Sequence, residues 1–236
     1  MPSSNRVLAV VLGSIAMGSL GCSLSIDQIF QMKEGSGVDV FLVGSYGEQP
    51  MDRLVFDGGT VMRINVSTTL LDYLDGTVDG DVEISDLLFS VPDFRFLVIY
   101  AGLICVVLDD PPGGGTFNYD VLAEEVTFDV LVNTKAVITS FLANLIRGGA
   151  FKFPFDLEST IPLTLIDAVG LFTGTGSLEV TQPIDAYYTV PLIRVPDDPS
   201  QDFQYPLHVK GEVTLESTDT FPATPGVLSC LDYLGA

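Results

Sequence analysis

The chain has 236 residues, a formal net charge of −21, and 47% apolar against only 17% charged residues. Beyond the amino terminus its lysines and arginines are scattered singly from Lys33 to Lys210, which excludes the basic stripe that nucleic acid or anionic headgroups require. A single histidine excludes a histidine-rich zinc or iron site. A charged share below the usual quarter means that much of the chain is covered on more than one side or lines a cavity.

At the amino terminus Arg6, the apolar run of residues 7–17 and Gly18-Ser19-Leu20-Gly21 lead into Cys22, the layout of a secretory signal ending at a cysteine. The run is about half the ~20 residues of a membrane-spanning helix. Ser19-Leu20-Gly21-Cys22 resembles the lipobox of bacterial lipoprotein precursors, with Ser19 where that family prefers Leu. The resemblance implies cleavage before Cys22, a lipid on its thiol, and attachment through that lipid to a membrane of the bacterial cell envelope. Ser23 stands where an Asp would imply inner-membrane retention, so the outer membrane is the implied address. Ordinary cleavage after Gly18 or Gly21 is the alternative.

Cysteine parity agrees with a lipid on Cys22, because it leaves an even pair. Cys105 and Cys230 then either close a disulfide in an oxidising compartment or stay as two buried thiols. The expected organisation is a signal peptide over residues 1–21, a lipidated tether or short helix over 22–36, and one β-rich domain over 37–236.

Strands are expected over residues 38–43, 54–56 and 61–66, the last two paired as a hairpin through Asp57-Gly58-Gly59. A short helix is expected near residues 68–74. The segment 75–86 resembles the calcium loop of EF-hand and dockerin segments, with Asp75, Asp79, Asp81, Glu83 and Asp86 as oxygen donors and Gly80 permitting the turn. Thr77 at the third position and Pro92 beyond it depart from that pattern. The competing reading is a β-turn at Asp79-Gly80 feeding a strand.

Residues 94–108 read as apolar and buried on both faces up to a break at Asp109-Asp110-Pro111-Pro112-Gly113-Gly114-Gly115. Residues 126–132 and 151–158 alternate with period two, and Pro154 places the second of these strands at a sheet edge. Between them, a cap at Asn133 or Thr134 and the spacing of Ile138, Phe141, Leu142, Leu145 and Ile146 predict an amphipathic helix ended by Gly148-Gly149. Ile138, Phe141, Leu142 and Leu145 are the candidate face toward a hydrophobic ligand. Further strands are expected over 161–166, 177–180, 187–193, 207–209 and 212–215. The fold class is mainly β: an antiparallel β-sandwich or strongly curved sheet with one amphipathic helix packed on it.

Catalytic motifs are absent. There is no Gly-x-Ser-x-Gly elbow, P-loop or Gly-x-Gly-x-x-Gly fingerprint, Gly174-Thr175-Gly176-Ser177 is too short for a phosphate cradle, and any triad would have to use His208. Asp109-Asp110 and Asp197-Asp198 read as solvated acidic loops, and Tyr187 and Tyr188 as possible stacking platforms. The expectation is a non-enzymatic, envelope-anchored lipoprotein, binding or structural, whose partner is a hydrophobic ligand or an envelope protein. It needs no cofactor and takes no nucleic acid. The alternatives are a calcium-dependent surface module and a hydrolase working through acidic residues.

Overall fold

The computed structural model describes residues 22–96, 99–140, 150–173, 177–193 and 203–235. In chain order it contains β1 (Cys22–Met32), β2 (Gly37–Gly44), β3 (Gly47–Val55), β4 (Asp57–Thr68), helix α1 (Leu70–Asp75), β5 (Thr77–Phe96), β6 (Ile99–Asp120), β7 (Glu125–Ile138), β8 (Phe151–Pro162), α2 (Leu165–Thr173), β9 (Glu179–Ile193), β10 (Phe203–Thr218) and α3 (Pro225–Leu234). All ten strands join one antiparallel sheet in the order β3-β2-β10-β1-β4-β5-β6-β7-β8, with β9 on the other side of β10. The sheet is strongly curled into a half-barrel.

The sheet forks at β10. Residues 207–212 pair with β2 and residues 215–218 with β1, while β9 runs along the opposite side of both. At the fork Thr214 has neither strand beside it, and the Ser36 hydroxyl substitutes: it accepts from Thr214 N at 3.0 Å and donates to Thr214 O at 3.1 Å. Gly211 allows the close approach there, because a Cβ on it would lie 2.4 Å from Gly37 O.

Period-two alternation explains the interior. On β4 and β5 Met62, Ile64, Val66, Val78, Val82 and Ile84 turn inward, and on β6 and β7 Phe117, Tyr119, Val126, Phe128 and Val130 do the same. Helix α2 adds Ala168 and Leu171 to this cluster. A second, smaller cluster of Leu88, Cys105, Val227 and Cys230 lies on the outer face, since their strand neighbours Leu87, Phe89, Ile104 and Val106 face inward. Helix α3 builds that cluster: Thr224 caps it, Pro225 opens it, and Gly235 closes it in the left-handed region at φ 77°. Around Leu88 and Cys105 both faces of β5 and β6 are therefore covered, as the apolar run up to Leu108 required. Cys105 and Cys230 are disulfide-bonded and fully buried.

Several local expectations are corrected. The segment expected as a tether forms β1, paired with β4 and β10, because Ile26, Gln28 and Phe30 alternate on one face. Asp57-Gly58-Gly59 is no hairpin turn; it opens β4, which pairs with β1 and β5, whereas β3 pairs with β2. The Pro- and Gly-rich stretch at 109–115 does not end a strand. It is accommodated within β6 as an excursion of residues 109–112 between the Leu108↔Thr134 and Gly113↔Val132 pairs, held by Asn133 Nδ2 donating to Pro111 O at 2.9 Å.

Residues 133–138 continue β7 and are not the start of a helix. Thr134, Ala136 and Ile138 are buried on one face; all three pair with β6, and Thr134 and Ala136 also with β8, a period-two burial that overrides the helical spacing of the apolar residues beyond. Phe141, Leu142 and Leu145 lie outside the described residues. Residues 165–166 belong to α2, whose first turn is fixed by Thr164 Oγ1 donating to Asp167 Oδ2 at 2.7 Å, so β8 ends at Pro162. The separate strands expected at 177–180 and 187–193 belong to one β9, and those at 207–209 and 212–215 to one β10. The expected helix near 68–74 is α1, and β8 with Pro154 does close one end of the sheet order.

Candidate functional site

The curled sheet lines a half-open cavity of about 240 Å³. Its wall takes residues from β1, β2, β3 and β5 to β10, among them Val40, Phe89, Val106, Ala136, Leu157 and Val209. Around it the inward positions mix short side chains such as Val40, Val106 and Ala136 with long ones such as Phe56, Phe89 and Phe155, whereas the filled part of the interior carries Met62, Tyr119 and the Phe117–Phe128 edge-to-face pair, 5.6 Å between centroids. Ile138, expected to face a hydrophobic ligand, lines the cavity from β7.

Among the described lining residues there is no Asp, Glu, Lys, Arg or His; the polar side chains described there are Thr134, Gln182 and Tyr188. Gln182 Nε2 donates to Pro183 O at 3.2 Å, which fixes the orientation of the amide, because a carbonyl can only accept. Its Oε1 is buried and has no hydrogen-bond partner. Burial, and secondarily the charge of Asp156, pushes the Tyr188 phenol above its usual range, so it is neutral at any physiological pH.

An apolar guest of matching shape would cover apolar lining that is now only partly buried, such as Ile184, Leu207 and Val209, and be stabilised by that burial.

A second constellation sits on the outer face. His208 on β10 is 6% exposed; its Nδ1 lies 2.8 Å from Glu48 Oε1 on β3 and its Nε2 lies 2.6 Å from Asp185 Oδ1 on β9. Tyr187 stacks on the imidazole at 4.3 Å and donates to Glu48 Oε1 at 3.1 Å. Asp185, with Glu48 behind it, holds the imidazole pKa above 6.5 despite burial, and His208 holds the Asp185 carboxyl below its usual range. Both ring nitrogens are engaged by carboxylates, so the imidazole has no free nitrogen for base chemistry; the cluster ties β3, β9 and β10 together. Tyr187 stacks on histidine and Tyr188 turns inward, so the two do not form one stacking platform.

The carboxylates read as a calcium loop are strung along an extended strand. Asp79, Asp81 and Glu83 share the outward face of β5, Gly80 lies within the strand opposite Val66 and Phe117, and Asn118 Nδ2 donates to Asp79 Oδ1. Asp75 ends α1, and Asp86 lies past a register shift. The strand does not wrap these donors around one point, and no His, Cys, Asp or Glu group among the described residues is arranged to hold a metal. Asp109 is taken up by Lys135 at 3.8 Å and by Lys152. Asp197 and Asp198 lie outside the described residues, as does most of Gly174-Thr175-Gly176-Ser177. Among the described residues no helix is long and apolar enough to cross a membrane.

The cavity has no local sequence signature, since nine strands each contribute only a few residues to it. The histidine cluster joins residues 160 and 23 positions apart, and only the alternation around His208 hinted at its burial. No protein-family model matches the chain, and neither characterised proteins nor solved structures gave a match.

Proposed function

We propose that this chain is a non-enzymatic, lipid-anchored protein of the bacterial cell envelope whose curled sheet holds one apolar ligand. The observation that carries the reading is the cavity: about 240 Å³ lined mostly by aliphatic and aromatic side chains, with no Asp, Glu, Lys, Arg or His among its described lining residues. The Cys105–Cys230 bond supports an exported, oxidising setting, in line with the signal-like stretch ending at Cys22. The acidic exterior fits a partner that is neither nucleic acid nor an anionic surface.

Titration of the purified protein with the uncharged fluorophore N-phenyl-1-naphthylamine tests it. Saturable one-to-one binding is expected in the wild type. Ala136→Phe, which places a ring in the cavity from a position that is 2% exposed, should weaken binding at least about tenfold while the far-UV spectrum is kept. Wild-type protein that binds no probe, or Ala136→Phe protein that binds equally well, would overturn the reading.

A further inference from the structure

Three strands of the sheet have only one neighbour each, β3, β8 and β9, and the curl brings β8 and β9 together. Ser159 Oγ on β8 donates to Thr181 O on β9 at 3.5 Å, yet among the described residues no ladder joins the two strands. The backbone explains why they do not zip. Leu163 N donates to Glu124 O, and the β7–β8 register then runs unshifted to Phe151, so the even-numbered residues of β8 turn their backbone groups away from β7 and toward the seam. On β9 both backbone groups of Leu178 bond to Ser217, and the register runs unshifted through Pro183 and beyond, so there the odd-numbered residues face the seam. Pro154 and Pro162 on β8 and Pro183 on β9 occupy such seam-facing positions. Each removes a donor that a closing ladder would need.

Directly behind this unlaced seam lies the cavity. Leu157 and Phe155 on one lip and Val180, Gln182 and Ile184 on the other are all lining residues. Parting the lips would break the Ser159–Thr181 contact but, among the described residues, no backbone ladder, whereas parting any two laddered strands would give up a row of backbone hydrogen bonds. Outside, the lips carry the exposed acids Asp156, Glu158, Glu179 and Asp185. Among the described residues the cations nearby are engaged: Lys33 by Glu179, Lys152 by Asp109, Lys210 and His208 by Asp185.

We infer that the β8–β9 seam is the entry route to the cavity, and that what passes it is an uncharged molecule with a single alkyl chain rather than a carboxylate or phosphate amphiphile. This rests on the cavity reading above. An anion would meet Asp156 and Glu158 at the lips and find no cation among the described lining residues, so it would lose its hydration without a partner there.

The test joins the lips covalently. Asp156→Cys with Pro183→Cys, two exposed positions on opposite lips, is made in the full chain carrying Cys22→Ser and bridged by a flexible bis-maleimide. Stopped-flow binding of N-phenyl-1-naphthylamine should be at least about tenfold slower in the bridged protein than in either single-cysteine variant capped with a monomaleimide, at unchanged equilibrium affinity. Dodecanol should displace the probe at about tenfold lower concentration than dodecanoate. Should that pair not fold, Glu158→Cys with Pro183→Cys serves instead. Equal rates in bridged and singly capped protein would overturn the entry route and leave the cavity reading standing; equal competition by dodecanoate would overturn the preference for an uncharged ligand. If the wild type binds no probe, both readings fail together.

Discussion

Reducing the Cys105–Cys230 bond should lower stability by about 5 kcal/mol. The two cysteines are 125 positions apart, and closing a loop of that length removes about 16 cal/mol/K from the unfolded chain, or roughly 4.9 kcal/mol at 25 °C. In the folded state little else should change, because Val227 and Cys230 are fully buried against Leu88 and Cys105, and Phe221, Leu231, Leu103 and Val107 pack around them. Urea unfolding of oxidised and reduced protein, followed by far-UV circular dichroism, measures this. With a slope of about 2.5 kcal/mol/M the midpoint should fall by roughly 2 M. Native-state hydrogen exchange should find the α3 amides still protected in the reduced protein under native conditions. A midpoint shift below about 0.4 M, or loss of α3 protection without global unfolding, would refute the argument that the bond acts chiefly on the unfolded chain.

Replacing His208 by Gln tests the outer clasp. Its folded pKa is raised above 6.5, so the stability it contributes is fully present below that pH and fades as pH rises through the folded value, whereas the contribution of Asp185, depressed below 3.8, is lost only in strong acid. Glu48, Asp185, Tyr187, Lys210 and Phe41 face the imidazole. Wild-type melting temperature should therefore decline above pH 6.5 while that of His208→Gln stays flatter; parallel curves would contradict the clasp. Ser36→Ala should cost about 1–3 kcal/mol in urea unfolding, because Thr214 N and O lose the hydroxyl that completes the fork. Asp79→Ala should shift the melting temperature equally in calcium and in chelator, since β5 is extended there; a calcium-specific shift would mean that its acids gather around a cation after all.

What the sequence made legible follows from the range over which each signal acts. Residues 126–132 could be read as a strand because the alternation lies within one segment and both neighbours of β7 bury the same face. Cysteine parity pointed to Cys105 and Cys230 because counting needs no geometry. Two helices went unread although their caps were present: Thr164 with Asp167 before α2, and Thr224-Pro225 with Gly235 around α3. The β-branched Ile161 and Ile166 hid the first, and the brevity of the apolar stripe hid the second. At 109–115 prolines and glycines that normally end a strand instead form an excursion within one, because β5 and β7 pair on either side of it. Which strand neighbours which is non-local, and so the fork at β10, the seam and the cavity could not be read from any window of residues.

The same non-locality explains how one sheet can be solid in part and hollow elsewhere. Met62, Ile64, Phe117, Tyr119 and Phe128, with Ala168 and Leu171 of α2, fill one region of the interior, whereas the other, lined from nine strands, stays open. A disulfide stabilises the same fold by about 5 kcal/mol without touching the cavity wall, because Cys105 points outward between the inward-facing Ile104 and Val106. The bond therefore acts from the opposite face of the same strand, and an interior kept open need not be matched by tighter packing anywhere along its lining.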